Sequence, residues 1–315
     1  MFADCLIDAI KLKNNSTVAG LDPVLDYVPE FIRKEVLADV GGGLKGAAEA
    51  IFRFNRSLID ALYDVVPAVK PQLAYYEMYG LPGMECFYKT VAYARSKGLL
   101  IIADGKRSDI GSTASAYSTA FLGATVTADG SEAAANVDAL TVNPYLGIDG
   151  IQPFLNDCKA NGKGIIVLVK TSNPSSGDVQ DLILEDGRPV YERIASLVDK
   201  WGSDIVGEWG YSSVGAVAGA TYPIQAETIR KLIPRGILLV PGYGAQGGAA
   251  DDCAVCFNKD GLGAIVNASR SIMCAYRSPR WSDTFDETSF AEAARAEAFR
   301  MKDDLNDAIE RRFSK

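Results

Sequence analysis

The feature that most constrains this chain is an eightfold recurrence. Short β-branched or leucine-rich runs stand at Thr17–Leu21, Val65–Val69, Leu99–Ala103, Ala139–Val142, Ile165–Val169, Val214–Ala218, Ile237–Val240 and Ala264–Val266. Each run is nearly continuous rather than alternating, as expected of a parallel strand covered on both faces. Most are followed by a polar or glycine-containing turn and then a helical pattern. Eight such units predict an α/β fold, a closed (β/α)₈ TIM barrel with extra helices in the long spacings after the first and fifth runs. An open, doubly wound sheet gives the same local alternation. The polar residues favour the barrel. Seven runs are followed within a few residues by Asp22, Lys70, Asp104, Asn143, Lys170, Gln246 or Arg270. A barrel brings all these strand ends to one face, whereas an open sheet gathers its site at a switch point.

No Ser/Gly/Pro linker or low-complexity tract divides residues 1–315, so one barrel domain is expected to span the chain. Phe2, Leu6, Ile7 and Ile10 have helical spacing. Asp4 and Asp8 interrupt that apolar stretch, so it reads as a helix and not as a signal peptide. At the other end, Ser289 and Glu292 fit a capping box ahead of an amphipathic helix carrying Phe290, Ala294, Met301, Leu305, Ile309 and Phe313. That helix is expected to close the barrel or dock on its side.

A net charge of −8 argues against a nucleic-acid or membrane-surface partner, and no apolar run is long enough to span a bilayer. Six cysteines include one lone C-x-x-C, Cys253 and Cys256, which reads as helical and as structural thiols in a reducing, cytoplasmic setting. The chain contains no histidine. His-dependent triads, His-bearing metal sites and imidazole acid–base chemistry are therefore excluded, and proton transfer must fall to Asp, Glu, Lys, Tyr or Cys.

The sharpest local signal is IIADGKRSDIGST. Asp104 and Lys106, two apart in an extended segment, point to the same side; Asp109 follows in the turn, and Ser112 and Thr113 can cap the next helix. Lys70 closes the second run in AVKPQ, where alternation with aspartates would balance buried charge. The seventh run ends in PGYGAQGG and the eighth in NASRS. Gly242, Gly244 and Gly247 would let backbone N–H groups approach an anion, and Arg270 would supply a bidentate partner, as in barrel phosphate sites. The same glycines satisfy G-x-G-x-x-G by count. A dinucleotide site is disfavoured because no ribose-binding acid follows in a second βαβ unit. Asp22 in AGLDP suits sugar hydroxyls, and KTSNPSSGD is a polar loop of the kind that can fold over a ligand.

Taken together, GLDP, AVKPQ, DGKRSDIGST, TVNPYLG, VKTSNPSS, VAGAT, PGYGAQGG and NASRSI resemble the orotidine 5′-phosphate decarboxylase family, in its longer bacterial (type 2) subfamily. The pieces appear in family order from residue 20 to about residue 272, and D-x-K-x-x-D-I is the diagnostic one. The resemblance implies a catalytic set of Lys106, Asp104, Lys70 and Asp109. Lys106 would protonate C6 of the pyrimidine, Asp104 would sit beside the departing carboxylate, and Lys70 would orient Asp104. It further implies that Asp22 holds the ribose, Ser172 the pyrimidine edge and Arg270 the phosphate, with Gln246 bridging base and phosphate. Asp109 and Thr113 would serve the neighbouring subunit of a homodimer. No metal and no organic cofactor are implied. A Schiff-base aldolase using Lys170 or Lys70, a metal-dependent sugar-phosphate decarboxylase and a non-catalytic nucleotide-binding protein are the competing readings.

Overall fold

Eight apolar strands need cover on both faces, and the computed structural model, which describes residues 1–244 and 247–314, supplies it by closing them into a barrel. The strands are β1 (Thr17–Leu21), β2 (Ala68–Pro71), β3 (Leu100–Arg107), β4 (Ala139–Val142), β5 (Gly164–Lys170), β6 (Ser212–Ala218), β7 (Gly236–Val240) and β8 (Ala264–Ala268). Each pairs in parallel with its sequence neighbours, and β1 closes on β8 with Thr17 opposite Val266. Every expected run became a strand; β1 and β4 keep the expected bounds, β5 to β8 gain one or two residues, and β2 and β3 shift further. Val65 and Val66 belong to the turn that ends the helix Gly43–Leu62, where both N–H groups bond to the Leu62 carbonyl, so β2 starts at Ala68. β3 continues to Arg107 through a register shift against β4.

Side-chain alternation divides the core in two. Inward-facing Val18, Ile102, Ile166, Ile237 and Ile265 fill the barrel, while outward-facing residues such as Val69, Ile101, Leu140 and Val167 pack under the helices. The helix Phe2–Lys13 plugs the N-terminal mouth: Phe2, Leu6, Ile7 and Ile10 join the interior cluster. Gly164 opens β5 because the Phe2 ring lies where a Cβ would be, 2.3 Å from its ideal position.

The long spacing after β1 holds the helices Glu30–Asp39 and Gly43–Leu62, and the one after β5 holds Gly177–Gln180 ahead of Val190–Trp201. The C-terminal helix Phe290–Phe313 docks on the barrel's side against Gly43–Leu62, with Phe290 stacked on Phe54 at 5.1 Å. Its cap differs from the expected one. Asp286, not Ser289, accepts the N–H groups of Thr288 and Ser289, at 2.8 and 3.1 Å, so the box closes one turn early, around Glu287–Ser289. Ser112 and Thr113 likewise do not cap; they sit exposed inside the first turn of the helix Gly111–Phe121, whose N-cap is Ile110. A hairpin of Thr125–Thr127 with Gly130–Glu132, exposed throughout, has no counterpart in the sequence pattern. Cys253 and Cys256 are buried free thiols, and burial pushes Cys256 up to about 12. The helix there ends at Ala254, leaving Cys256 in the turn beyond. No helix among the described residues is long and apolar enough to cross a membrane.

Candidate active site

The C-terminal mouth carries a cavity of about 700 Å³. Asp22 from the end of β1, Lys70 from β2, Asp104 and Lys106 from β3 and Arg270 after β8 all line it, together with Ser172 and Gly242. Four of the strand-end polar residues expected to converge therefore do so.

Asp104 is the hub. Only 8% exposed, it accepts from Lys70 Nζ at 2.8 Å and Gln72 Nε2 at 2.9 Å on one oxygen, and from Lys106 Nζ at 2.6 Å and Thr141 Oγ1 at 2.9 Å on the other. Burial alone would raise its pKa, but the two ammonium groups outweigh burial and hold the carboxyl well below the usual carboxylate range. The same balance acts on Lys70. Its burial favours the neutral amine, yet Asp104 and Asp22, the latter at 3.8 Å, keep its pKa above the ordinary lysine value. Two cations and two anions thus share one charge-balanced cluster, with Lys70 buried and Lys106 reaching towards the cavity, its side chain 45% exposed.

Asp104 and Lys106 meet by a route other than simple alternation. Ala103 pairs with Leu140 and Arg107 with Val142, so three residues of β3 span the single residue Thr141. Lys106 adopts φ 46°, a left-handed conformation that costs a non-glycine residue about 1 kcal/mol or more. Thr141 stabilises the bulge: its Oγ1 accepts the Lys106 N–H at 2.9 Å while donating to Asp104. The ammonium is folded back onto Asp104 as a result. Bulges of this kind re-aim side chains at barrel rims.

Gln72 and Thr141 were not singled out in the sequence, although both lie within quoted motifs. The available signal was a polar residue inside or directly after a buried strand, where it needs a partner. Asn267, on β8, belongs with them: it lines the cavity, and its Oδ1 is buried without a hydrogen-bond partner. Asp22 Oδ1, whose ion pair with Lys70 is at 3.8 Å, is likewise buried without a hydrogen-bond partner, a carboxylate oxygen left over for a hydroxyl donor.

Other expected residues fall elsewhere. Asn143 and Lys170 do not line the cavity. Asn143 accepts the Tyr145 N–H at 3.0 Å, and Lys170 is paired with Asp181. Asp109 and Thr113 are also absent from the wall, and Thr113 lies on an exposed helix face. Gln246 lies outside the described residues. Gly242, Gly244 and Gly247 all have positive φ, 102°, 69° and 94°, which accounts for the residue type. The N–H groups of Gly244 and Gly247 bond to carbonyls of their own loop, so these two shape the turn and Gly242 alone of the three faces the cavity. Arg270 makes no hydrogen bond or ion pair to another described side chain. It opens a short helix, Arg270–Met273, at the cavity rim. Among the described residues no cluster of three or more His, Cys, Asp or Glu side chains could hold a metal ion.

Residues 51–280 match the family described as "Orotidine 5'-phosphate decarboxylase / HUMPS family". An orotidine 5′-phosphate decarboxylase of Caldicellulosiruptor saccharolyticus is 42% identical, over 98% of this chain and 99% of its own. Its namesake from Rhodopirellula baltica is 43% identical over 96% and 98%. Among solved structures, the OMP decarboxylase of Leishmania donovani superposes with a TM-score of 0.72 at 26% identity, covering 98% of each chain.

Proposed function

This chain belongs to the orotidine 5′-phosphate decarboxylase family, carboxy-lyases of pyrimidine biosynthesis, and we propose that it converts orotidine 5′-monophosphate to UMP and carbon dioxide by way of a C6 carbanion protonated by Lys106. The bond between C6 and the carboxylate breaks, and its electron pair stays on C6 in the plane of the ring. That pair cannot delocalise into the π system, so the enzyme must supply its stabilisation. A fixed ammonium beside C6 does this electrostatically and then gives up a proton to the same carbon.

The observation that carries the reading is the Lys70–Asp104–Lys106 chain on the cavity wall, completed by hydrogen bonds from Thr141 and Gln72 to Asp104. Asp104, locked as a carboxylate, faces the leaving group; Lys70 orients Asp104. Asp22, with its unpartnered Oδ1, takes a ribose hydroxyl. Ser172 meets the pyrimidine edge, Arg270 and the turn at Gly242 take the phosphate, and Gln246 bridges base and phosphate. Binding energy from that remote phosphate can be used to complete the site. Asp109 and Thr113 act in the site of a second copy, which makes the working unit a cytoplasmic homodimer. Their position away from this chain's own cavity supports that assignment.

No metal or cofactor enters the scheme, since its only transfers are one proton to C6 and carbon dioxide out. The test is direct. Purified protein is mixed with orotidine 5′-monophosphate, with and without a chelator, and the loss of substrate absorbance is followed. Equal turnover in both arms is expected. Absence of turnover overturns the reading, and turnover abolished by the chelator overturns its metal-free chemistry.

A further inference from the structure

Lys170 is a charged strand-end residue that the proposed reaction leaves unused. It ends β5 and is fully buried, yet it is not on the cavity wall. A register shift between Leu168 and Lys170 against β6 turns it away from the interior that Leu168 faces. Its ammonium donates to both carboxylate oxygens of Asp181, at 2.7 and 2.8 Å, and lies 4.4 Å from the centroid of the Tyr222 ring. Asp181 is eleven residues downstream, directly after the short helix Gly177–Gln180 in the connection that follows β5.

The next pair inward repeats the closure. The Thr171 N–H donates to Gln180 Oε1 at 3.0 Å, and Gln180 Nε2 donates to Thr171 Oγ1 at 2.9 Å. From the β6 side, the Thr221 hydroxyl donates to the Ser172 carbonyl at 3.1 Å and the Tyr222 hydroxyl to the Asn173 carbonyl at 3.2 Å. A segment whose composition is that of a mobile turn is thus tied at its neck, and Ser172 is the first residue inside the knot.

We propose that Lys170, Asp181 and Tyr222 form a clasp that fixes the neck of the loop after β5, and that Lys170 is a positioning residue which holds Ser172 at the edge of the bound pyrimidine. The inference rests on the reading of Ser172 given above. A buried ammonium has no water to fall back on, so it stays with its one carboxylate. The ordering of Ser172 is then completed on folding and does not weaken substrate binding.

The experiment uses Ser172→Ala, Asp181→Asn and the Ser172→Ala/Asp181→Asn double variant of the full-length enzyme, with steady-state kinetics and hydrogen exchange. Each single variant is expected to lower kcat/KM by about 10-fold to 10²-fold, as small misplacements do. The double variant should be no worse than the poorer single, because both changes remove the same contact. Exchange should rise in peptides covering residues 171–181 and nowhere else. A second variant, Lys170→Met with Asp181→Leu, leaves no buried charge unpaired and keeps the test readable if Asp181→Asn folds poorly. Its loss, too, should vanish in the Ser172→Ala background. Additive losses, or full activity in Asp181→Asn where Ser172→Ala is impaired, overturn the clasp while leaving Ser172 in place. A silent Ser172→Ala overturns the reading of Ser172 itself, and the positioning role with it.

Discussion

The two mouths of this barrel are built from the same strands and solve opposite problems. At the N-terminal mouth the strand ends meet the helix Phe2–Lys13, and Phe2, Leu6 and Ile7 fill the space so closely that Gly164 has no room for a Cβ. At the C-terminal mouth the strands end in Asp22, Lys70, Asp104 and Lys106 around an open cavity. Apolar groups at the first mouth leave water and stabilise the fold. Charged groups at the second are held partly desolvated by one another, Lys106 carries a left-handed backbone, and Asp22 and Asn267 keep oxygens without partners. One end contributes stability and the other stores unsatisfied chemistry.

The most severe way to break that division is Asp104→Ala. It removes the hub of the cluster and leaves Lys70 buried with only Asp22 at 3.8 Å. Activity should fall by roughly 10³-fold or more, and stability by about 3 kcal/mol, the scale for an uncompensated buried charge. Urea denaturation and kcat on the same preparation check both. If stability is unchanged, the cluster is not the buried, coupled unit described.

Leu6→Ala probes the other mouth. A buried leucine cut to alanine should cost about 3 kcal/mol and leave kcat at low temperature within about twofold of wild type. A large kcat loss with intact stability would mean that the plug communicates with the chemistry.

The smallest effect concerns pH. The depressed Asp104 pKa contributes stability that is present above the unfolded carboxylate value of about 4 and is lost as pH falls through the folded value. The raised Lys70 pKa contributes stability that is complete below about 10.4 and is lost as pH rises through the folded value. The stability deficit of Asp104→Asn should therefore be flat from about pH 5 to about pH 9 and shrink below pH 4. A deficit that changes near neutrality would contradict both directions.

The same contrast explains what could be read in the sequence. The strands were legible because burial on both faces leaves long apolar runs, and the N-terminal helix was legible from the spacing of Phe2, Leu6, Ile7 and Ile10, although its place in the barrel mouth was not. Val65 and Val66 misled because a β-branched pair can equally fill a turn beneath a helix. The hairpin at Thr125–Thr127 was invisible: both its strands are exposed, so no apolar pattern marks it. At the charged mouth, residue type and position after a strand identified Asp22, Lys70, Asp104, Lys106 and Arg270. What failed there was local backbone geometry. A bulge folds Lys106 back towards Asp104, and another turns Lys170 out of the cavity, and neither leaves a trace in residue type. Thr141 and Gln72 were missed because their partners come from a neighbouring strand.

In the proposed reaction Lys106 acts in chemistry and not in holding the fold or the nucleotide. Lys106→Ala tests it in one preparation, by kcat with orotidine 5′-monophosphate, UMP affinity by calorimetry and thermal unfolding. The variant should lose roughly 10³-fold or more in kcat, with UMP affinity within about tenfold of wild type and a melting temperature within about 4 °C, the shift equivalent to about 1 kcal/mol in a large domain. Turnover close to wild type, or a loss of activity matched by equal losses of affinity and stability, would contradict it.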